Sequence, residues 1–180
     1  MCIRDRSRYR LTTSATTNTT NVYTGDIVTQ NTGGIVTRIA RADGGSATSV
    51  IIVGVFNGCF YTDPTTQKPT WKNYYPGSVV ASDIMAFVLD DPDIVGKMDC
   101  DGAFAVADIF KDFNVTNVSG NTTTGISEVQ LDFSASGLTI AFMLQAIDIS
   151  QNPDNDEAGA ANANILVRIN NHFYRLNTGL

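Results

Sequence analysis

Ser49-Val50-Ile51-Ile52-Val53-Gly54-Val55-Phe56 is the stretch on which the fold class turns. It is apolar almost throughout and rich in β-branched side chains, which lose rotamer freedom on a helix and pack well on a pleated surface. It has no 3.6-residue period and is too short for a buried helix, so it reads as a core strand covered on both faces. Gly54, with Gly58 just beyond, marks a bend or bulge.

The flanking segments extend the same pattern. Upstream, Asp26-Ile27-Val28-Thr29 and Gly34-Ile35-Val36-Thr37-Arg38-Ile39 are short β-branched runs joined by Gln30-Asn31-Thr32-Gly33, a hairpin signal. Asp43-Gly44-Gly45-Ser46 is a turn. Downstream, strands are expected at Ile84–Leu89, Ile94–Met98, Ile109–Val115, Ile126–Phe133, Leu138–Ser150 and Asn164–Asn170. Turns rich in Asn, Ser, Asp and Gly separate them, and only Ala103–Asp108 offers a short helix. Roughly seven to nine strands between such turns point to an all-β domain, an antiparallel β-sandwich or small β-barrel with long loops. No tandem repeat is visible in the sequence.

The longest interruption is residues 62–77, where Pro64, Pro69 and Pro76 alternate with Trp71, Tyr74 and Tyr75. It reads as an irregular loop. Its aromatics either pin it to the barrel wall or form a partner contact, since Trp and Tyr dominate interface hot spots. Trp71, Tyr74 and Tyr75 are the candidate contact residues.

The 180 residues suit one domain. No apolar run approaches the roughly 18 residues of a membrane-spanning helix. A net charge of −6 argues against a general nucleic-acid binder. The charge is uneven: residues 1–41 carry six basic and two acidic side chains, and the remainder six and sixteen. The opening Met1-Cys2-Ile3-Arg4-Asp5-Arg6-Ser7 resembles the translated sequencing-adaptor leader of metagenomic reading frames, and that resemblance implies a leader foreign to the natural protein. Leu11–Asn21 is Thr/Asn-rich and buries too little surface to offset its ordering entropy. The expected organisation is thus a flexible arm over residues 1–21 and a single β domain over 22–180.

Catalytic chemistry is sparse. Cys59 and Cys100 lie 41 residues apart with no CxxC spacing, and His172 is the one histidine, so no Cys/His zinc site can be assembled within one chain. Flanked by Phe60 and Met98, the two cysteines read as small buried apolar residues rather than as nucleophiles paired with His172. Asp90, Asp91, Asp93, Asp99 and Asp101, and separately Asp154-Asn155-Asp156-Glu157, are carboxylate clusters of the kind that bind Ca²⁺. The first breaks the EF-hand pattern, having no Glu between Asp99 and Glu128, and turn-capping Asp explains both. Nothing selects a glycosidase pair among the acids, and no GxSxG elbow or phosphate-binding loop occurs. Asn114, Asn117 and Asn121 begin glycosylation-type triplets, which are chance matches in a Thr/Asn-rich turn. The expectation is a protein that is no enzyme and carries no cofactor or metal.

Several segments taken in order carry a family resemblance: Val53–Tyr61 with Tyr75-Pro76-Gly77, Val88-Leu89-Asp90-Asp91-Pro92, Thr122-Thr123-Thr124-Gly125, Asn152-Pro153-Asp154-Asn155 and Ala161–His172. Together they resemble small virion proteins of marine and freshwater tailed bacteriophages, including capsid decoration (head cement) proteins. The resemblance implies a β-rich virion protein that binds the major capsid protein or another virion protein. It also implies a homo-oligomer, with a trimer favoured, and no nucleic-acid or membrane partner. Two alternatives stand beside it: a phage tail or fibre component that binds host carbohydrate, and a carbohydrate-active β-sandwich enzyme.

Overall fold

The computed structural model describes residues 6–12, 18–31, 33–39, 50–138, 142–152, 159 and 161–175. The all-β expectation holds: the described residues form eleven strands and two single turns of 3-10 helix, Val106–Asp108 and Phe173–Arg175. Where one β domain was expected, the chain groups into two compact units. Unit 1 comprises Met1–Ile39, Ile52–Asp91 and Ser119–Glu128; unit 2 comprises Ala40–Ile51, Pro92–Val118 and Val129–Leu180.

Unit 1 holds β1 (Ser7–Arg10), β2 (Ile27–Asn31), β3 (Ile35–Arg38), β4 (Ile52–Thr62), β5 (Pro69–Lys72) and β6 (Met85–Leu89). The sheet order is β2-β3-β1-β6-β4-β5, and β2 also pairs with β4, so five strands close into a barrel with β5 hung on its outside. Its interior is built from inward-facing positions contributed around the whole ring: Leu11 directly after β1, Val28, Val36, Ile52, Phe56, Ala86 and Val88 are all buried. Closure requires a tight approach at Gly54, where a Cβ would lie 2.1 Å from the Leu89 carbonyl oxygen. The bulge falls three residues later: between Phe56 and Cys59 the β4–β6 register shifts, with Gly58 at φ +90°.

Unit 2 holds β7 (Val95–Asp99), β8 (Asp112–Val115), β9 (Leu131–Gly137), β10 (Leu144–Ile149) and β11 (Asn164–Ile169). The order is β7-β11-β10-β8-β9. A parallel bridge between Cys100 and Leu131 then joins the end of β7 to the start of β9. The interior is formed by Phe104, Phe113, Leu131, Met143, Ala146, Ile165 and Val167.

The two units repeat one topology. In unit 1 the ring runs β1-β6-β4-β2-β3, and in unit 2, with strands taken in chain order and the β5 excursion set aside, β7-β11-β10-β8-β9 is the same ring. Each has one parallel junction, Arg10–Ile35 in unit 1 and Cys100–Leu131 in unit 2. The correspondence extends to single hydrogen bonds. Gly25 N–H donates to the Phe56 carbonyl, and Phe56 N–H donates to Asp26. In unit 2, Phe110 N–H donates to Ala146, and Ala146 N–H donates to Lys111. Gly25 and Phe110 both hold positive φ, +98° and +71°. The bulge after Phe56 has its counterpart after Ala146.

Several local expectations are corrected. Residues 62–77 are not an irregular loop throughout, because β5 pairs with the far half of β4, from Cys59–Lys72 to Thr62–Pro69. The strand expected at Ile109–Val115 begins at Asp112, after the positive-φ turn at Phe110. The one helical candidate, Ala103–Asp108, yields a single 3-10 turn. Upstream of the expected domain start at Val22, Ser7–Arg10 pairs along β6 and Leu11 is fully buried. The leader residues 1–5, the Asp43–Ser46 turn and the Asp154–Glu157 cluster lie outside the described residues.

Candidate functional site

Period-2 alternation sends one set of unit 1 side chains outward. On β1 these are Arg8 and Arg10, with Arg6 continuing the set; on β6 they are Met85 and Phe87; on β4, Phe60; on β5, Trp71. Register aligns them. Arg10 faces Met85, Met85 faces Phe60, and Phe60 faces Trp71, so one row crosses four strands. The next row places Arg8 opposite Phe87. Phe60 is 42% and Trp71 46% exposed. The Trp71 ring tilts onto Phe87 at 5.0 Å between centroids, crossing Gly58, where a Cβ would sit 2.5 Å from the indole Cζ2. The Arg6 guanidinium carbon also lies over the Phe87 ring, 5.8 Å from its centroid. The result is an aromatic and methionine patch edged by arginines on the outer wall of a closed barrel.

The three residues singled out in the sequence go to different places. Trp71 lies in this patch. Tyr74 is half-buried, stacked on Tyr23 at 5.5 Å with Lys72 Nζ 5.9 Å from its ring. Tyr75 is fully buried; it bridges Val22 through the backbone, and its hydroxyl donates to the Asn18 carbonyl at 2.8 Å. Tyr75 therefore serves the interior of unit 1. Phe60, Phe87 and Met85 complete the patch and were missed, since only strand register brings them to Trp71.

The groups considered for catalysis are structural in their surroundings. Cys59 is buried, its Sγ 3.6 Å from the Tyr74 carbonyl, and burial pushes its thiol up to about 12 despite nearby Lys72. Cys100 is likewise buried, and its thiol is raised by the same desolvation. His172 is buried in unit 2, where its Nδ1 accepts from Tyr174 N–H at 3.1 Å. Among the acids, Asp90 accepts from the Tyr9 hydroxyl at 2.7 Å, Asp101 accepts from Phe133 N–H, and Asp93 pairs with Arg175. Among the described residues no three His, Cys, Asp or Glu side chains are grouped to hold a metal. Asn114 is fully buried, which closes the first glycosylation-type triplet. Because the thiolate is the reactive form, Cys59 and Cys100 should resist alkylation in the native protein and label fully in denaturant. Peptide mass spectrometry after iodoacetamide treatment reads this directly.

No protein family, curated protein or solved structure matches the chain. The sister unit therefore provides the comparison. By register, the positions of Arg8, Arg10, Met85, Phe87 and Phe60 correspond in unit 2 to Lys97, Asp99, Asn164, Leu166 and Ser150. The barrel thus forms equally with polar and aliphatic residues there. Folding does not require arginines and exposed aromatics at these sites, so the patch is a property of unit 1 beyond its fold.

Proposed function

We propose that the chain is a structural protein of a tailed-phage particle, a capsid decoration protein that works by docking rather than by chemistry. The observation that carries this reading is the Trp71–Phe60–Phe87–Met85 patch with its arginine edge. It combines the residue types that anchor interfaces, and it lies on the outer wall of a barrel, where a broad partner surface fits better than a small substrate. The family resemblance over residues 50–172 supplies the biological setting. In that setting the protein acts as a homo-oligomer, with a trimer favoured, on the major capsid protein in the virion. Repeated modest contacts then multiply by avidity to hold the shell.

Trp71→Ala tests it. With nearly half its surface already exposed, Trp71 can be removed with the fold intact, and binding to empty shells of the cognate phage should weaken by about 1–3 kcal/mol. Co-sedimentation with shells measures this, and unchanged binding by a folded variant overturns the assignment of the patch. The exposed indole also favours a second reading, a tail or fibre component that binds host carbohydrate, because rings stack on sugar faces. Trp71-dependent retention on a glycan array without shell binding would replace the first reading with the second.

A further inference from the structure

Asn57-Gly58 is the one Asn-Gly pair in the chain, and the fold places it at the bulge of β4. β4 pairs with β2 up to Val55 and with β5 from Cys59 onward. Along β6 the register jumps from Phe56–Val88 to Cys59–Ala86, so Asn57 and Gly58 stand together opposite Phe87. Neither has a ladder partner on any of the three neighbouring strands, as befits a bulge. The register that fixes a strand amide on its neighbour is therefore absent at Gly58. Glycine is required here by the patch itself: Gly58 has φ +90°, and a Cβ would lie 2.5 Å from the Trp71 indole. The asparagine before it is half-exposed.

Asparagine followed by glycine has a defined reactivity. The Gly58 nitrogen gives up its proton and attacks Cγ of the Asn57 side chain. A C–N bond forms, the bond from Cγ to the side-chain nitrogen breaks, and that nitrogen leaves with the proton as ammonia. Water then adds to one of the two carbonyls of the resulting five-membered imide, and the bond from that carbonyl to the ring nitrogen breaks. Opening at Cγ leaves aspartate. Opening at the backbone carbonyl leaves isoaspartate, whose chain runs through the former side chain and is one methylene longer. What retards ring closure in most sequences is the side chain of the following residue, and position 58 has none. The indole covers the face where a Cβ would lie, but closure is internal and needs no solvent there, and the half-exposed Asn57 side admits the water that follows.

We propose that Asn57 is a site of spontaneous deamidation in the folded protein and that its conversion weakens the docking patch as the protein ages. Both products put a carboxylate opposite Phe87, in the row that begins at Arg8. A charge there must be desolvated when a partner covers the aromatics, and it offers Arg8 a counter-ion in competition with that partner. The effect on docking rests on the proposed function of the patch; the modification itself does not.

The test ages the full chain in native buffer at mildly alkaline pH and follows it by peptide mapping. Asn57 should gain the mass of ammonia exchanged for water, faster as pH rises, because the attacking nitrogen must lose its proton. It should convert well ahead of exposed Asn117 and Asn121, which precede Val118 and Thr122. Asn57 that converts in denaturant but persists in the native protein overturns the proposal. Fresh and aged protein are then co-sedimented with empty shells of the cognate phage. Binding should fall in step with the converted fraction. Asn57→Gln, which cannot close the five-membered ring, should hold its own starting level throughout. Conversion with undiminished binding, or an equal decline in Asn57→Gln, overturns the link to docking. Fresh protein that binds shells without needing Trp71 refutes the reading of the patch, and the peptide map still decides the modification.

Discussion

A chain beginning at Thr12, which lacks β1, should lose the cooperative unfolding of unit 1. β1 stands between β3 and β6 in the ring, pairing with β6 over four residue pairs and with β3 at Arg10–Ile35. Its removal opens the barrel and leaves two unpaired edges, each a template for another chain. It also removes fully buried Leu11 and the Tyr9 hydroxyl that donates to Asp90. Loss of a large buried aliphatic side chain alone costs about 2–5 kcal/mol, comparable to much of a domain's net stability. The expected result is broadened or absent thermal unfolding of unit 1, with a tendency to aggregate. A chain beginning at Arg6 keeps the strand and should melt like the full chain. Indistinguishable melting of both truncations would show that β1 contributes nothing to closure.

The second large effect is expected at Asp26, which is fully buried just before β2. Its carboxylate accepts from the Ser127 hydroxyl at 2.6 Å and from Tyr23 N–H at 2.8 Å, and it lies 3.4 Å from Arg38 Nε. Asp26→Ala removes the counter-charge of a buried guanidinium together with both hydrogen-bond acceptors. Breaking a buried pair from one side costs about 3–5 kcal/mol, which denaturant titration would read as a fall in midpoint. The pH dependence has a defined sign. Burial raises the Asp26 pKa above its ordinary 3.8, against the opposing effects of Ser127, Tyr23 and Arg38. The folded state then holds this proton more tightly than the unfolded chain does. Relative to Asp26→Asn, wild-type stability should therefore decline as pH rises from about 4 through the folded pKa and level off above it. A difference that instead grows with pH over that window would mean that the ion pair outweighs desolvation.

The strand content was legible because β-branched runs and Gly/Asn turns report local physics. The duplication was not. Of the positions that register places in correspondence along β1, β6 and the start of β4, only Val88 and Val167 carry the same residue. A barrel interior constrains total volume more than identity at any site. Unit 1 has Phe56 on β4 and Ala86 on β6, whereas unit 2 has Ala146 and Ile165 at the matching places. Large and small have exchanged strands, and no sequence period survives that exchange. Trp71 could be singled out from its setting among Pro64, Pro69 and Pro76. Phe87 could not, since its contact with Trp71 depends on a bulge at Asn57-Gly58 and on a glycine over which the indole can pass. The arginines of β1 were read as leader and arm because β1 is short and its apolar support comes from β6, far along the chain.

Neither unit is a continuous piece of chain, and this sets an order in time. The connection from β8 to β9 leaves unit 2 to give Ser119–Glu128 to unit 1, where Thr24 pairs with Ile126 and Ser127 reaches Asp26 across 101 residues. During synthesis at roughly 10 residues per second, Asp26 and Arg38 emerge together but wait about ten seconds for that hydroxyl. The ribosome thus releases all the barrel strands of unit 1 well before the segment that completes it, and translation speed through this interval becomes part of how the protein is made.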